Sequence, residues 1–153
     1  MTVLLVHLSS TLYMTGLIWF VQIVHYPLFA MVDSQSFAPY HDAHTRLTAW
    51  AVGMPMVVEA ATALVLLKRR PRGSSLELVG ASSVTLAMVW ASTWLLQVPQ
   101  HRILASGFND TVHSFLVDSN WTRTCGWTLR SLLVLAIVAK AALRSNKSID
   151  VIT

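Results

Sequence analysis

Charged side chains are scarce in this sequence: Asp, Glu, Lys and Arg make up 12% of its 153 residues, half the ~25% usual in a soluble domain. That deficit excludes an ordinary water-soluble fold and puts most of the chain in lipid. There is one cysteine, Cys125, which excludes an internal disulfide and every multi-cysteine metal or redox motif. The sequence has no Gly-x-Ser-x-Gly, no phosphate-binding loop and no dinucleotide fingerprint, so the common nucleophile and nucleotide signatures are missing. Thr62 and Thr93, inside apolar runs, read as helix-packing groups rather than nucleophiles. No basic face with interleaved aromatics remains, which argues against nucleic acid as a partner.

What is present is long apolar runs. Residues 3–32 contain no Asp, Glu, Lys or Arg, and further runs follow at 47–67, 78–98 and 125–143. Each reaches the roughly 20 residues that a spanning helix needs. The sequence therefore predicts an all-α fold, a polytopic membrane four-helix bundle forming one integral domain over residues 1–153. The first run is too long for a signal-peptide core and has no basic leader, so a retained span is expected. Lys68, Arg69, Arg70 and Arg72 separate runs two and three, and Lys140, Arg144 and Lys147 follow or end run four. The basic excess of cytoplasmic loops then predicts a multi-pass plasma-membrane protein with both termini inside. On that topology links 33–46 and 99–124 face outward. Phe37, Tyr40, His41, His44 and Leu47 recur at helical spacing, as do Val112, Phe115, Leu116 and Trp121 with looser fit, which predicts short amphipathic helices on the membrane surface. Trp50, Trp94, Trp121 and Trp127 would mark the outer boundary as an aromatic belt. Gly16, Gly53, Gly80 and Gly126 read as close-packing positions.

One pattern occurs twice. Trp19-Phe20-Val21-Gln22-Ile23 is echoed by Trp94-Leu95-Leu96-Gln97-Val98, and Thr45-Arg46 with Trp50 is echoed by Thr122-Arg123 with Trp127. Either the chain is two repeated helical hairpins, or residues natural at interfaces coincide. Repeats in membrane proteins often place a site between the halves, which directs attention to the polar residues around these motifs.

Glu59 falls near the middle of the second run and Arg130 within the fourth. An ionised side chain at mid-span costs about 2.5–3.5 kcal/mol on insertion scales. The two are expected either to lock the bundle as a pair or to serve as proton acceptor and substrate anchor. Gln22 and His25, His41 and His44, and Gln97 and His101 each share a helix face. With Arg46, Arg123 and Asn120 they would form a polar cluster at the outer mouth. The candidate catalytic residues are thus His25, Glu59, His101, Arg123 and Arg130, and the candidate substrate-binding residues Gln22, Arg46, Gln97, Asn120 and Trp127. Neutral imidazole is the commonest metal ligand, so His25, His41, His44 and His101 are candidate ligands for a metal, with His25 and His101 the best-placed pair for a haem. A carboxylate-bridged pair of metals is disfavoured because Glu59 alone is available inside the bundle. The alternative is a pocket with no metal. Arginines and glutamines above an apolar interior suit an amphipathic ligand bearing oxygen atoms: a quinone, a phenol, an isoprenoid lipid or a fatty acid.

The second half carries a resemblance. Thr93 through Gln97, Pro99, His101, Leu104, Asn120-Trp121, Arg123 and Trp127 through Arg130 resemble the small four-span membrane proteins grouped with anthrone oxygenases. The Asn120-Trp121-Thr122-Arg123-Thr124 run is similar to a bacterial branch of that group with no assigned activity. The first half agrees mainly in hydropathy. The resemblance implies oxygen-dependent oxidation of a phenolic substrate, with Pro99, His101, Asn120, Arg123 and Arg130 as site positions. Two classes of function follow. One is a membrane-embedded oxidoreductase acting on a lipophilic phenolic, quinone-like or lipid substrate. The other is a non-enzymatic binding, transport or accessory protein of the same fold. Four spans form a pore only with difficulty, so transport would require a homodimer.

Overall fold

Lipid offers backbone amides no hydrogen-bond partner, so apolar runs of this length close their bonds internally as helices. The computed structural model describes the backbone of residues 1–150 and the side chains of residues 1–144. The Lys147 side chain and residues 151–153 lie outside the described residues. Among the described residues the chain is helical with no strand. Helix α1 (Thr2–Phe20) leads into a π-helical turn (Val21–His25), a short α2 (Tyr26–Leu28) and a 3₁₀ turn (Phe29–Met31). Helix α3 (Ser34–Lys68) returns. Helix α4 (Leu76–Ser92) passes through a second π-helical turn (Thr93–Gln97) into α5 (Val98–Leu104), and α6 (Asp110–Asp150) closes the bundle. Four of these units are long and apolar enough to cross a membrane: Thr2–Met31, Ser34–Lys68, Leu76–Leu104 and Asp110–Arg144.

The outer links differ from expectation. They are helical, but they continue the spans instead of lying apart on the membrane surface. Only Val32 and Asp33 separate the first hairpin's helices, with the Asp33 carboxylate accepting from the Gln35 amide at 3.0 Å. Asn109 caps α6 in the same way through the Val112 amide at 3.0 Å. The 35 residues of α3 extend roughly 52 Å at 1.5 Å per residue, well beyond a hydrocarbon layer of about 30 Å. One end of the bundle therefore stands clear of the deepest lipid.

Both π-helical turns have a visible cause. The Tyr26 amide bonds the Val21 carbonyl and the Val98 amide bonds the Thr93 carbonyl, five residues back in each case. Pro27 and Pro99 come next and carry no amide proton, so the normal ladder cannot pass through them. The wide turn that results shifts the register of everything after it and is a frequent companion of functional sites. Pro55 acts differently inside α3. It leaves the Ala51 carbonyl without its usual helical donor, and the Tyr13 hydroxyl donates to that oxygen at 3.3 Å.

Helix α1 packs on α3 and α6, and α6 packs on α4, whereas α3 and α4 meet loosely. Gly126 permits the α4–α6 approach: a Cβ there would lie 2.5 Å from a Val89 methyl. Gly16, Gly53 and Gly80 face open space instead, so they are not the close-packing positions that the sequence suggested. Trp50 and Trp94 are exposed, as a belt requires, but Trp127 is fully buried.

Two apolar clusters fill the interior, one around Met14, Phe29, Leu116 and Trp127 and one around Leu4, Leu66, Val79 and Ile137. A polar layer separates them. Arg130 donates from Nε to Glu59 Oε1 at 2.7 Å, from Nη1 to the Ser82 carbonyl and hydroxyl, and from Nη2 to His7 Nε2 at 2.9 Å. Thr11 donates to Glu59 Oε1 at 2.7 Å and Trp127 Nε1 to Glu59 Oε2 at 3.2 Å. A guanidinium has no acceptor, so His7 Nε2 accepts and the ring proton sits on Nδ1. Nδ1 then donates to Thr62 Oγ1 at 2.6 Å, and Thr62 in turn donates to the Val58 carbonyl. Glu59 and Arg130 are both 0% exposed, and α1, α3, α4 and α6 each supply part of their shell. Removing one partner of a buried pair costs about 3–5 kcal/mol, whereas replacing both with apolar groups is close to neutral. Glu59→Gln is thus expected to lower the thermal unfolding temperature in detergent sharply, and Glu59→Met with Arg130→Met to recover most of the loss. Equal unfolding of Glu59→Gln and the parent protein would contradict this.

Candidate functional site

The loose seam between α3 and α4–α5 holds a cavity of about 400 Å³. Met14, Leu17, Ile18 and Val21 line its α1 side, with Val52 and Val98 facing them. The polar groups gather at the hairpin end: Tyr26, His41, His44, Thr48, Gln97, His101 and Arg123. This is an apolar body with a polar head, the usual build of a small-molecule site.

Arg123 is held from behind. Its Nη1 donates to Asn120 Oδ1 at 3.1 Å, Asn120 Nδ2 donates to Gln22 Oε1 at 2.9 Å, and Gln22 Nε2 donates to the Val117 carbonyl at 3.2 Å. Its guanidinium lies 5.4 Å from the Trp127 ring centroid, a cation–π distance. Gln97 accepts from Ser92 and donates to Ser119. These chains leave Arg123 7% exposed with its Nε buried and unpartnered among the described residues.

The histidines form two pairs. His25 Nε2 meets His44 Nδ1 at 2.7 Å, and Thr48 Oγ1 reaches the same His44 nitrogen at 3.1 Å. His41 Nε2 meets His101 Nδ1 at 3.0 Å, and His101 Nε2 meets the Tyr26 hydroxyl at 3.0 Å. Phe29 sits edge-on to the group, 4.9 Å from the His44 ring. His113 Nε2 donates to the Tyr26 carbonyl at 2.8 Å. The direction of the longer chain follows from counting donors. The Tyr26 hydroxyl carries one proton, and among the described residues its hydrogen-bond partner is His101 Nε2. The Tyr26 proton then goes to His101 Nε2, and the His101 Nδ1 proton to His41 Nε2. The His41 proton is left on Nδ1, an atom that is buried and unpartnered. The reverse order would strand the Tyr26 proton as well as His41 Nδ1, and buried polar groups rarely go unpaired.

The imidazoles are thus gathered, as ligation of a metal would require, but their nitrogens face one another. Among the described residues no set of three or more His, Cys, Asp or Glu side chains is placed to hold a metal ion. His25 does not line the cavity, so it and His101 do not bracket a haem-shaped space. The residues present do not fit either group.

Of the residues singled out by sequence, His41, His44, Gln97, His101 and Arg123 line the cavity. Gln22, His25 and Asn120 support it from one layer behind, and Trp127 lies beneath Arg123. Arg46 is not brought in: it is 67% exposed and pairs with Asp42 at 3.6 Å on the outer face. Glu59 and Arg130 are not at the cavity either but in the interior network. Tyr26, Thr48, His113 and His7 were missed. For Tyr26 a signal existed, a polar-tipped aromatic directly before a helix-breaking proline.

Compared with known proteins, the chain matches no protein-family model, no curated protein and no solved structure. Asn120→Ala would leave Gln22 and Arg123 each short of a partner inside the bundle, a loss of about 1–3 kcal/mol. Thermal unfolding in detergent should register it, and an unchanged midpoint would show that the chain of contacts does not hold Arg123.

Proposed function

We propose that the cavity binds a lipophilic molecule through a carbonyl or oxyanion oxygen, as quinones and phenols carry, and that the protein is a membrane oxidoreductase acting on it. The observation that supports this is the pair of unpartnered donors, Arg123 Nε and His41 Nδ1, at the polar head of an otherwise apolar cavity. Both donate, so the complementary ligand accepts. Fixed donors aimed at an oxygen stabilise the negative charge that develops there when a phenol is oxidised or a quinone reduced. The chain Tyr26–His101–His41 also allows a proton to pass between the ligand oxygen and Tyr26 by reversal of its hydrogen bonds. With dioxygen as oxidant, a hydroquinone loses two electrons and two protons, and these form hydrogen peroxide.

The resemblance of residues 93–130 to the anthrone-oxygenase group points to the same substrate class. The basic α3–α4 turn supports a topology with that end in the cytoplasm and the cavity toward the outer leaflet of the plasma membrane. A π-helical turn followed by proline in each hairpin supports an origin by duplication.

The test uses the purified full chain in detergent. A short-chain naphthoquinone titrated against tryptophan fluorescence should bind saturably. Arg123→Gln should weaken it by about 1.5–3 kcal/mol, the worth of a charged hydrogen bond, and the naphthohydroquinone should consume oxygen faster with protein than without. Equal affinity for Arg123→Gln and the parent protein would overturn the binding mode. Saturable binding with no oxygen consumption would leave a binding protein in place of an enzyme.

A further inference from the structure

The opposite end of the bundle carries a second, unrelated concavity. The turn from α3 to α4 presents Arg69, Arg70 and Arg72 before Gly73 and Ser74. Gly73 has φ +84, and a Cβ there would lie 2.8 Å from the Lys140 carbonyl oxygen. Both the left-handed backbone and the close approach require glycine. The turn is thereby pressed onto α6 beside Arg144. Two hollows meet at this point. One is an apolar groove of about 510 Å³ floored by Leu4, Val65, Leu66 and Ala141 and edged by Arg69, Arg72 and Arg144. The other is polar, formed by Arg70, Arg72, Ser74, Ser75 and Arg144. Pro71, Arg72 and Arg144 line both, so a single molecule with an acidic head and an apolar tail can span them.

Two further observations specify that molecule. Ser74 is 7% exposed, and its hydroxyl is buried with no partner among the described residues. Such a group is satisfied when an acceptor oxygen arrives. Among the described residues no carboxylate pairs with Arg69, Arg70 or Arg72, so their charge is uncompensated within this part of the chain. Guanidinium groups match phosphate oxygens two at a time, and basic pockets between membrane helices are places where acidic headgroups dock.

We infer that this end of the bundle binds one anionic phospholipid, its phosphate held by Arg70, Arg72 and Ser74 and an acyl chain lying in the groove between α1, α3 and α6. The site is independent of the cavity at the hairpin end.

The experiment is native mass spectrometry of the full chain released from detergent with phosphatidylglycerol, with phosphatidylcholine, or with phosphatidylglycerol plus millimolar inorganic phosphate. Phosphatidylglycerol adducts should persist at concentrations where phosphatidylcholine adducts are lost, and inorganic phosphate should not displace them. Arg70→Gln with Arg72→Gln should weaken the adduct about tenfold or more. Both arginines are exposed, so the variant should keep the parent's helical circular dichroism, and Ser74→Ala supplies a second variant that leaves the charge intact. Equal retention of the two lipids, or an unchanged affinity in the double variant, would overturn the inference. Displacement by inorganic phosphate would overturn it too, by showing a soluble anion site instead of a lipid site.

Discussion

Arg130 places a guanidinium inside the bundle with no exposure, and everything around it is arranged accordingly. Its guanidinium has five protons to place, and it finds Glu59, Ser82 and His7 for them. Glu59 is completed by Thr11 and Trp127. A buried ion pair adds little net stability by itself, because desolvation offsets attraction. What it adds here is register. Its shell comes from α1, α3, α4 and α6, so no helix can slide or rotate by one residue without stranding a polar group. The apolar clusters on either side are far more forgiving, since leucine and valine contacts tolerate small slips.

That register reaches the cavity through Trp127. Its indole proton is bonded to Glu59, and its ring lies under Arg123. The interior network thus sets the height and rotation of α6, and α6 carries Asn120, Arg123 and Trp127 on one inward face. The two polar clusters have different tasks. The interior one is satisfied within itself and holds the helices. The one at the hairpin end is deliberately incomplete, with donors at Arg123 and His41 that the protein does not answer. Those donors, and the apolar walls below them, are the basis for the oxygen-bearing lipophile proposed as the ligand.

Hydropathy made the four spans legible, and the cost of a charge in lipid made a Glu59–Arg130 pair one of two readings, between which the sequence did not decide. The helix ends were not legible. Helical spacing in 33–46 and 99–124 was, but their polarity put those helices on the membrane surface, whereas Phe37, His41 and Leu116 are fully buried in continuations of the spans. Arg46 and Arg123 looked equivalent because both follow a threonine ahead of a tryptophan. Two residues past the buried His44, however, Arg46 has turned roughly 200° around α3 and faces out. His7 gave no signal, since its partners Thr62 and Arg130 are distant in sequence. The π-helical turns could be suspected from Pro27 and Pro99, but their effect on which side chains face inward could not be.

The claim most exposed to test is that a ligand oxygen accepts hydrogen bonds from Arg123 and His41. Isotope-edited infrared spectroscopy of a carbonyl-labelled naphthoquinone, bound to the full chain in detergent, reads those bonds at the oxygen itself. One of the two carbonyl bands should move to lower frequency on binding and return in Arg123→Gln. Two carbonyl bands that stay where detergent alone places them would contradict the claim.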